Sequence, residues 1–572
     1  MKLLRRLTRA PQGWKSSLDP RIIHAQAVKS PLTQRDYDVL LSLYTKRNLL
    51  DSTLRLFNEI PSPSFVSWTS IISAHSDSPL SLTLFISMLR YPTLPNERTF
   101  ACLFKSCVSL PHCFSFGLSL HALSLKLSLN HNPFSGSALM NFYLKQCIPG
   151  SATKVFDEMP EPDEVCYAAM IVGLAQNSLP FESLSLFAKM RSRDISSTVN
   201  SLSGVLKAAA KLAVSQQCRI IHGHAVVTGF DKNVGVASSL INGYGKAGVV
   251  LDARRLFDEN IQVMNDIGWN TLMASYAQQG DSKSVIELFE LMESKGFAPD
   301  KYSFLAILTS FYHAGLVSEA ERWLRRMKAE YGVEPEVEHY TCIVGALGRA
   351  GEFESAEMVV MTMPVKPDVA MWRSLLSSCA HYGEADVALS TAKRILELDP
   401  NNYSVYAIAA NVLSVAGRLD EVAKMEKLMK YHRAKKGSEI SWIEVKGKVH
   451  VFLAGKSKEE ITEGIYTKLA ELMEEIEKLG YKPVWNEMLH GKLKRRETFW
   501  YHSEKLALAY GILKGAAPQG QPLRIVKNQR VCKDCHEAFK YISRVIEKEI
   551  IVKNFISYHK FSNGNCSCGD FW

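Results

Sequence analysis

What the chain lacks narrows it first. None of its 572 residues sits in an apolar run of the roughly 18 residues that a membrane-crossing helix needs, so no membrane partner is expected. No acid precedes Asp19, and the start "MKLLRRLTRAPQGWKSS" has no long apolar core, which argues against a secretory signal. Its arginines, and leucines that fall on one helical face, read instead as an organellar transit peptide within residues 1–30. A merely basic start is the plainer alternative. A strong charge excess is also missing: 68 Lys and Arg stand against 58 Asp and Glu, for +10. Residues 1–30 hold seven bases and one acid (+6), and residues 437–572 hold 22 and 17 (+5), which leaves the middle at −1. Bulk charge therefore does not identify a nucleic-acid partner; phosphate contacts must come from local patches.

Cysteine is sparse where the chain is longest. Eight of the twelve are scattered singly through residues 102–379, as suits buried thiols in a reducing compartment. The other four crowd into the last 41 residues. At this length one core is excluded, and several units or an extended array must form.

A phrase recurs through the first two thirds. It reads "DVLLSLYTKRNLLDSTLRLFNEIP" from Asp38, "SALMNFYLKQCIPGSATKVFDEMP" from Ser137, "SSLINGYGKAGVVLDARRLFDEN" from Ser238, "NTLMASYAQQGDSKSVIELFELM" from Asn270 and "TCIVGALGRAGEFESAEMVVMTMP" from Thr341. Each copy holds two helical stretches, a polar or glycine-containing turn and a breaker. One such unit cannot bury its own apolar face, so neighbours must stack into an α-solenoid. A tetratricopeptide array that binds peptides has nearly the same period. The wording of "NTLMASYAQQGDSKSVIELFELMESKGFAPD" resembles the pentatricopeptide (PPR) repeat instead. Units at 34–64, 65–96, 97–132, 133–163, 164–198, 199–233, 234–265, 266–300, 301–336 and 337–368 alternate like the P, L and S triplets of plant PPR proteins. "RIIHAQAVKS", ahead of them, is similar to the tail of one more L unit.

That resemblance implies single-stranded RNA as the partner, one base per unit, read by the fifth and last residues. The readers would be Thr69 with Asn96, Ser137 with Asp163, Ser238 with Asn265, Asn270 with Asp300, and Thr341 with Asp368. By the family pattern they favour A, G, A, U and G, at −12, −10, −7, −6 and −4 from the target base. Asp38 with Ser64 and Ala168 with Thr198 depart from the pattern and favour no base. Two further helix pairs at 369–402 and 403–436 resemble the E1 and E2 repeats of the same family, or simply cap the solenoid.

At Gly437 the rhythm changes. "GSEISWIEVKGKVHVFLAGK" alternates apolar and polar residues around "KGK" and predicts a β-hairpin; an amphipathic helix follows in "EEITEGIYTKLAELMEEIEKLG". The expected fold is therefore mostly α, a helix-pair solenoid followed by a compact α/β domain over 437–572.

That last stretch holds "HSE" at His502–Glu504, "CKDCH" at Cys532–His536, His559, and "CSC" at Cys566–Cys568. A lone His-x-Glu is a weak signal, but two thiolates at Cys-x-x-Cys spacing can share a tetrahedral Zn²⁺. Together the two motifs match zinc-dependent nucleobase deaminases, in which one imidazole and two thiolates leave a position for water and the carboxylate moves protons. A structural zinc without turnover is the alternative, although such a site needs no spare carboxylate. His536, His559, Cys566 and Cys568 make a closed four-ligand set, as a structural zinc requires. A Cys-x-Cys disulfide there would be strained and disfavoured in an organelle.

"YHSEKLALAYGIL", "LRIVKNQRVCKDCH" and "HKFSNGNCSCGDFW" resemble the DYW-type cytidine deaminase domain of plant PPR editing factors. The resemblance implies a catalytic zinc on His502, Cys532 and Cys535, Glu504 as proton shuttle, and a second zinc on His536, His559, Cys566 and Cys568. It implies C-to-U editing of transcripts in the mitochondrion, with the chloroplast as the alternative location, and accessory editing-factor proteins as partners; no DNA partner is expected. A non-catalytic RNA-binding adaptor that recruits a deaminase in trans is the rival reading. Nothing resembles the paired-carboxylate metal site of an endonuclease. Three departures stand out: Asp570-Phe571-Trp572 replaces Asp-Tyr-Trp, Val531 stands where many deaminases have Pro, and Gly491 follows His490 in "GYKPVWNEMLHG" where an acid is usual.

Overall fold

The computed structural model describes residues 19–27, 32–435, 437–454, 456–457, 462–483, 501–554 and 557–570. The transit-peptide expectation for residues before 19, the 484–491 part of "GYKPVWNEMLHG", and Phe571 and Trp572 lie outside the described residues. Among the described residues, twenty-five helices run from α1 (Pro20–Ala27) to α25 (Leu419–Tyr431) before the first strand. The chain divides into two compact units, residues 1–208 and 209–572.

Local chemistry sets the helix starts. Asn96, Asp163, Asn265, Asp300 and Asp368 each stand at an N-cap, where the side chain accepts an amide proton of the first turn. Pro149 and Pro180 open second helices, where a missing N–H costs nothing.

In the first unit, Phe100, Phe104, Leu139 and Phe142 are fully buried between successive helices. Gly117 lies so close to Phe142 that a Cβ would stand 2.3 Å from its ring, so the contact requires glycine. A second motif recurs with the repeats: His24 Nδ1 meets the Tyr44 hydroxyl at 3.1 Å, and His121 Nδ1 meets Tyr143 at 2.7 Å. The second unit repeats it with His222 and Tyr244 at 2.9 Å. In each case a histidine of one helix pair ties down the tyrosine of the next.

The second unit continues the array and ends in the α/β domain. Strands β1 (Ile440–Val445) and β2 (Lys448–Leu453) form the expected hairpin. Their two-residue turn, Lys446-Gly447, has φ of 50° and 73°, the left-handed pair that matches strand twist. Then come β3 (Lys456–Ser457), α26 (Thr462–Lys478), α27 (Ser503–Leu513), β4 (Leu523–Lys527), α28 (Lys533–Val545), β5 (Ile550–Lys553), β6 (Tyr558–Ser562) and β7 (Asn565–Cys566). The sheet order is β3-β2-β1-β4-β5-β6-β7; β4 and β5 are parallel, and α28 is the crossover between them.

Strand alternation divides the sheet into two faces. Ile443, Val445, Leu523, Ile525, Ile550, Val552 and Phe561 pack on one side with Leu469 of α26, Leu506 of α27 and Phe539 of α28. Trp442, Glu444, Arg524, Lys553, Tyr558 and Lys560 belong to the other.

Candidate functional site

Two helix starts carry the site. His502 is the N-cap residue of α27, which puts Glu504 in that helix's first turn with no solvent exposure. Cys532 is the N-cap of α28, and its Sγ accepts the Cys535 amide proton at 3.4 Å. Helix N-termini favour thiolate and carboxylate charge. His502 Nδ1 lies 3.2 Å from Cys535 Sγ and 3.4 Å from Cys532 Sγ. These spacings suit edges of a tetrahedron whose metal–ligand distances are about 2.0–2.3 Å. Ligand atoms of His502, Glu504, Cys532 and Cys535 all fall within 4.8 Å of one another.

Cys535 and His536 are neighbours yet serve different clusters, because consecutive residues point about 100° apart on a helix. His536 Nε2 lies 3.2 Å from Cys568 Sγ, and Cys568 Sγ lies 3.2 Å from Cys566 Sγ. His559 Nδ1 completes this set at 3.7 Å from Cys566 Sγ, while its Nε2 meets Asn554 Nδ2 at 3.3 Å and Ser557 Oγ at 3.1 Å. Those outer contacts orient the ring with Nδ1 toward the sulfurs. The β6–β7 turn, Asn563-Gly564, brings Cys566 opposite Phe561. Asp570 ties the following turn to α28 by accepting from Lys540 Nζ at 2.5 Å. All four of these cysteines are free thiols. Both donor sets fit zinc: one closed by four protein ligands, the other with three and an adjacent carboxylate.

Two buried ion pairs escaped the sequence reading. Lys527 Nζ meets Glu504 Oε1 at 2.6 Å, and Lys505 Nζ meets Asp534 Oδ2 at 2.6 Å, with almost no exposure in either pair. Tyr481 donates to the other Asp534 oxygen at 2.5 Å. Asp534 lies between the two thiols of the Cys-x-x-Cys, so this network fastens the start of α28 to the start of α27. Burial alone would raise the Glu504 pKa, but the Lys527 and His502 charges outweigh it and hold the carboxyl at about 2. The thiols divide one charge: a hydrogen bond from Cys535, together with His502, lowers Cys532 well below the usual range, and burial raises Cys535. A lysine ending an apolar strand, as in "LRIVKN", was the available signal for Lys527.

The expected base-reading residues lie at helix starts along the array. Asn270 Nδ2 donates to Asp300 Oδ1 at 2.9 Å, and Ser303 joins both side chains. Thr69 Oγ1 lies 2.9 Å from Thr99 Oγ1, which in turn donates to Asn96 Oδ1 at 3.0 Å. Ser137 and Thr341 hydroxyls bond carbonyls of their own helices, at Phe134 and Val337. Ser238 Oγ has no hydrogen-bond partner among the described residues. No direct bond within the Ser137–Asp163, Ser238–Asn265 or Thr341–Asp368 pairs is found among the described residues. Of the two departing pairs, Asp38 with Ser64 is bonded within itself: the Ser64 and Ser67 hydroxyls both donate to the Asp38 carboxylate.

Residues 480–572 match the DYW family of nucleic acid deaminases, and residues 382–444 match the E motif. PPR repeats match at 165–195, 236–259, 302–331 and 338–366, and the PPR repeat family at 264–313. A pentatricopeptide repeat-containing protein of Arabidopsis thaliana is 35% identical over 98% of this chain and 95% of its own length. The chain belongs to the pentatricopeptide repeat family. Another Arabidopsis pentatricopeptide repeat-containing protein is 32% identical over 100% of this chain, which spans only 58% of that relative. A third, named mitochondrial, is 33% identical over 94% of this chain and 84% of its own length. Among solved structures, the pentatricopeptide repeat protein PPR10 from maize aligns over 86% of this chain and 84% of its own, at 15% identity and TM-score 0.40. This PPR protein thus joins PPR and E repeats to a deaminase-family domain.

Proposed function

We propose that this protein binds single-stranded RNA along its repeats and converts cytidine to uridine at selected sites in organellar transcripts. The observation that carries the catalytic half is the fully buried Glu504 carboxylate inside the His502–Cys532–Cys535 cluster. A metal that only staples a fold has no use for a buried acid beside its ligands. The mitochondrial name of one relative supports an organellar address, and the one-base-per-repeat reading that PPR arrays use supports single-stranded RNA as the ligand.

The reaction is hydrolytic: water adds at C4 of cytosine, ammonia leaves, and uracil remains. His502, Cys532 and Cys535 would hold a zinc, which would supply the Lewis acidity that makes water a nucleophile near neutral pH. Glu504 takes one proton from the attacking water to the ring nitrogen, then carries the proton of the new C4 hydroxyl to the amine, which leaves as ammonia. Lys527 keeps Glu504 ionised, so it starts the cycle as a base. His536, His559, Cys566 and Cys568 would hold a second zinc, which would fasten β6 and β7 to the start of α28.

Replacing Glu504→Ala in the plant and sequencing organellar transcripts tests the reading. Loss of editing at this protein's targets with RNA binding retained is expected. Editing that persists would show that the deaminase acts in trans, with this chain as its adaptor.

A further inference from the structure

The outer face of the C-terminal sheet grips the repeat array through contacts that the proposed chemistry leaves unused. On β1, Trp442 Nε1 donates to the Leu212 carbonyl at 2.8 Å. Two residues on, the Glu444 oxygens accept the Gln216 and Gln217 amide protons at 2.9 and 2.8 Å. Those amides open the helix Ser215–Val227 (α13) and have no acceptor within it. At the end of the next helix, Val234–Lys246 (α14), the polarity reverses. Lys553 Nζ and the Tyr558 hydroxyl donate to the Lys246 carbonyl at 2.9 and 2.5 Å, and Arg524 donates to the Ala247 carbonyl at 3.0 Å. An acid therefore meets a helix N-terminus, and two cations meet a C-terminus, each the favourable end of the peptide dipoles. Lys560 adds a bond to Gln279 at 3.0 Å.

The contacts at Lys246, Ala247 and Gln279 sit at the far ends of two helices that carry base readers. Ser238 precedes Lys246 by eight residues of α14, which is about 12 Å at 1.5 Å per residue. Asn270 is likewise separated from Gln279 by most of a helix. The dock thus leaves the reading ends clear. It also shares strands with both clusters: on β4, Arg524 reaches the array while Lys527 pairs with Glu504, and on β6, Tyr558 and Lys560 reach the array while His559 between them joins the closed cluster.

We propose that this dock is a register, and that Trp442, Glu444, Arg524, Lys553, Tyr558 and Lys560 are positioning residues that fix which cytidine meets the pocket. The inference rests on the proposed editing function and adds a specificity device to it.

The test uses the full zinc-loaded chain and a synthetic RNA with A, G, A, U and G at −12, −10, −7, −6 and −4 and cytidines flanking the target. In a Trp442→Ala/Glu444→Lys variant, the Gln216 and Gln217 amides should exchange with solvent about tenfold faster or more. RNA affinity should stay within about threefold, because the reading residues are distant from the changes. The share of edits at the target cytidine should fall about fivefold as neighbours are edited instead. Tyr558→Phe and Gln279→Ala each remove single bonds and should give the same trend more weakly, which guards against misfolding of the double variant. Unchanged site choice with fast amide exchange would overturn the register. So would faster editing at the same cytidine, which would make the dock a brake. No uridine from the wild-type chain would sink the editing function and the register with it, while slow Gln216 and Gln217 exchange would still report an intact dock.

Discussion

The two His/Cys clusters lie on neighbouring residues of one helix and differ in a single respect. The cluster of His536, His559, Cys566 and Cys568 offers four ligands and is complete with protein alone. The cluster of His502, Cys532 and Cys535 offers three, and its fourth neighbour is a carboxylate already paired with Lys527. In the proposed function the same ligand chemistry serves as a staple where it is closed and as a reaction site where it is left open.

The comparison can be broken most severely at the staple. Cys566→Ser or Cys568→Ser should release about one zinc per chain and unfold the C-terminal domain, because metal-binding energy is folding energy. Metal analysis and thermal melting report both. The same serine change at Cys532 should spare more of the fold.

Lys527→Met should come next. It leaves Glu504 buried without its cation, and breaking such a pair costs about 3–5 kcal/mol. The depressed Glu504 pKa of about 2, against an ordinary 4.5, points to a similar size, on the order of 3 kcal/mol. The sign follows from the depression: this stability is complete above about pH 5 and is lost as pH falls toward 2. Melting curves across that window should be flatter in the variant.

Smaller effects belong to the array. Thr341→Asn should move preference at −4 from G toward U with little change in melting, and binding to paired RNAs differing at that base reads it. Asp300→Ser is subtler still. Serine caps a helix nearly as well as aspartate, so stability should change by less than about 1 kcal/mol. Loss of the Asn270 bond should nevertheless alter the base preferred at −6. A base preference that survives would leave Asp300 as a cap only.

The repeats and both clusters were legible because their signals are local. Apolar periodicity and breakers mark each helix pair, and Cys-x-x-Cys, His-x-Glu and Cys-x-Cys carry ligands at short spacing. The hairpin at Lys446-Gly447 was legible for the same reason. The pairing of Lys527 with Glu504 was not, since a strand end and a helix start 23 residues apart meet only through tertiary packing. The Lys505–Asp534–Tyr481 network is equally non-local. The outer sheet face was hidden by its own composition: Trp442, Glu444 and Lys553 read as a solvated strand face until the array stands against them. His536 follows Cys535 directly, yet helical geometry turns the two side chains apart into different clusters.

The central contrast, an open cluster that reacts beside a closed one that does not, meets its most direct test in purified protein. Full-length chain with about two zinc per molecule is mixed with the synthetic target RNA, and uridine formation is followed beside a Glu504→Gln variant of equal zinc content. The account predicts uridine from the wild type and a loss of about 10²-fold or more in the variant, with RNA binding unchanged. Equal uridine formation by the variant, or none from a zinc-loaded wild type that binds the RNA, would contradict it.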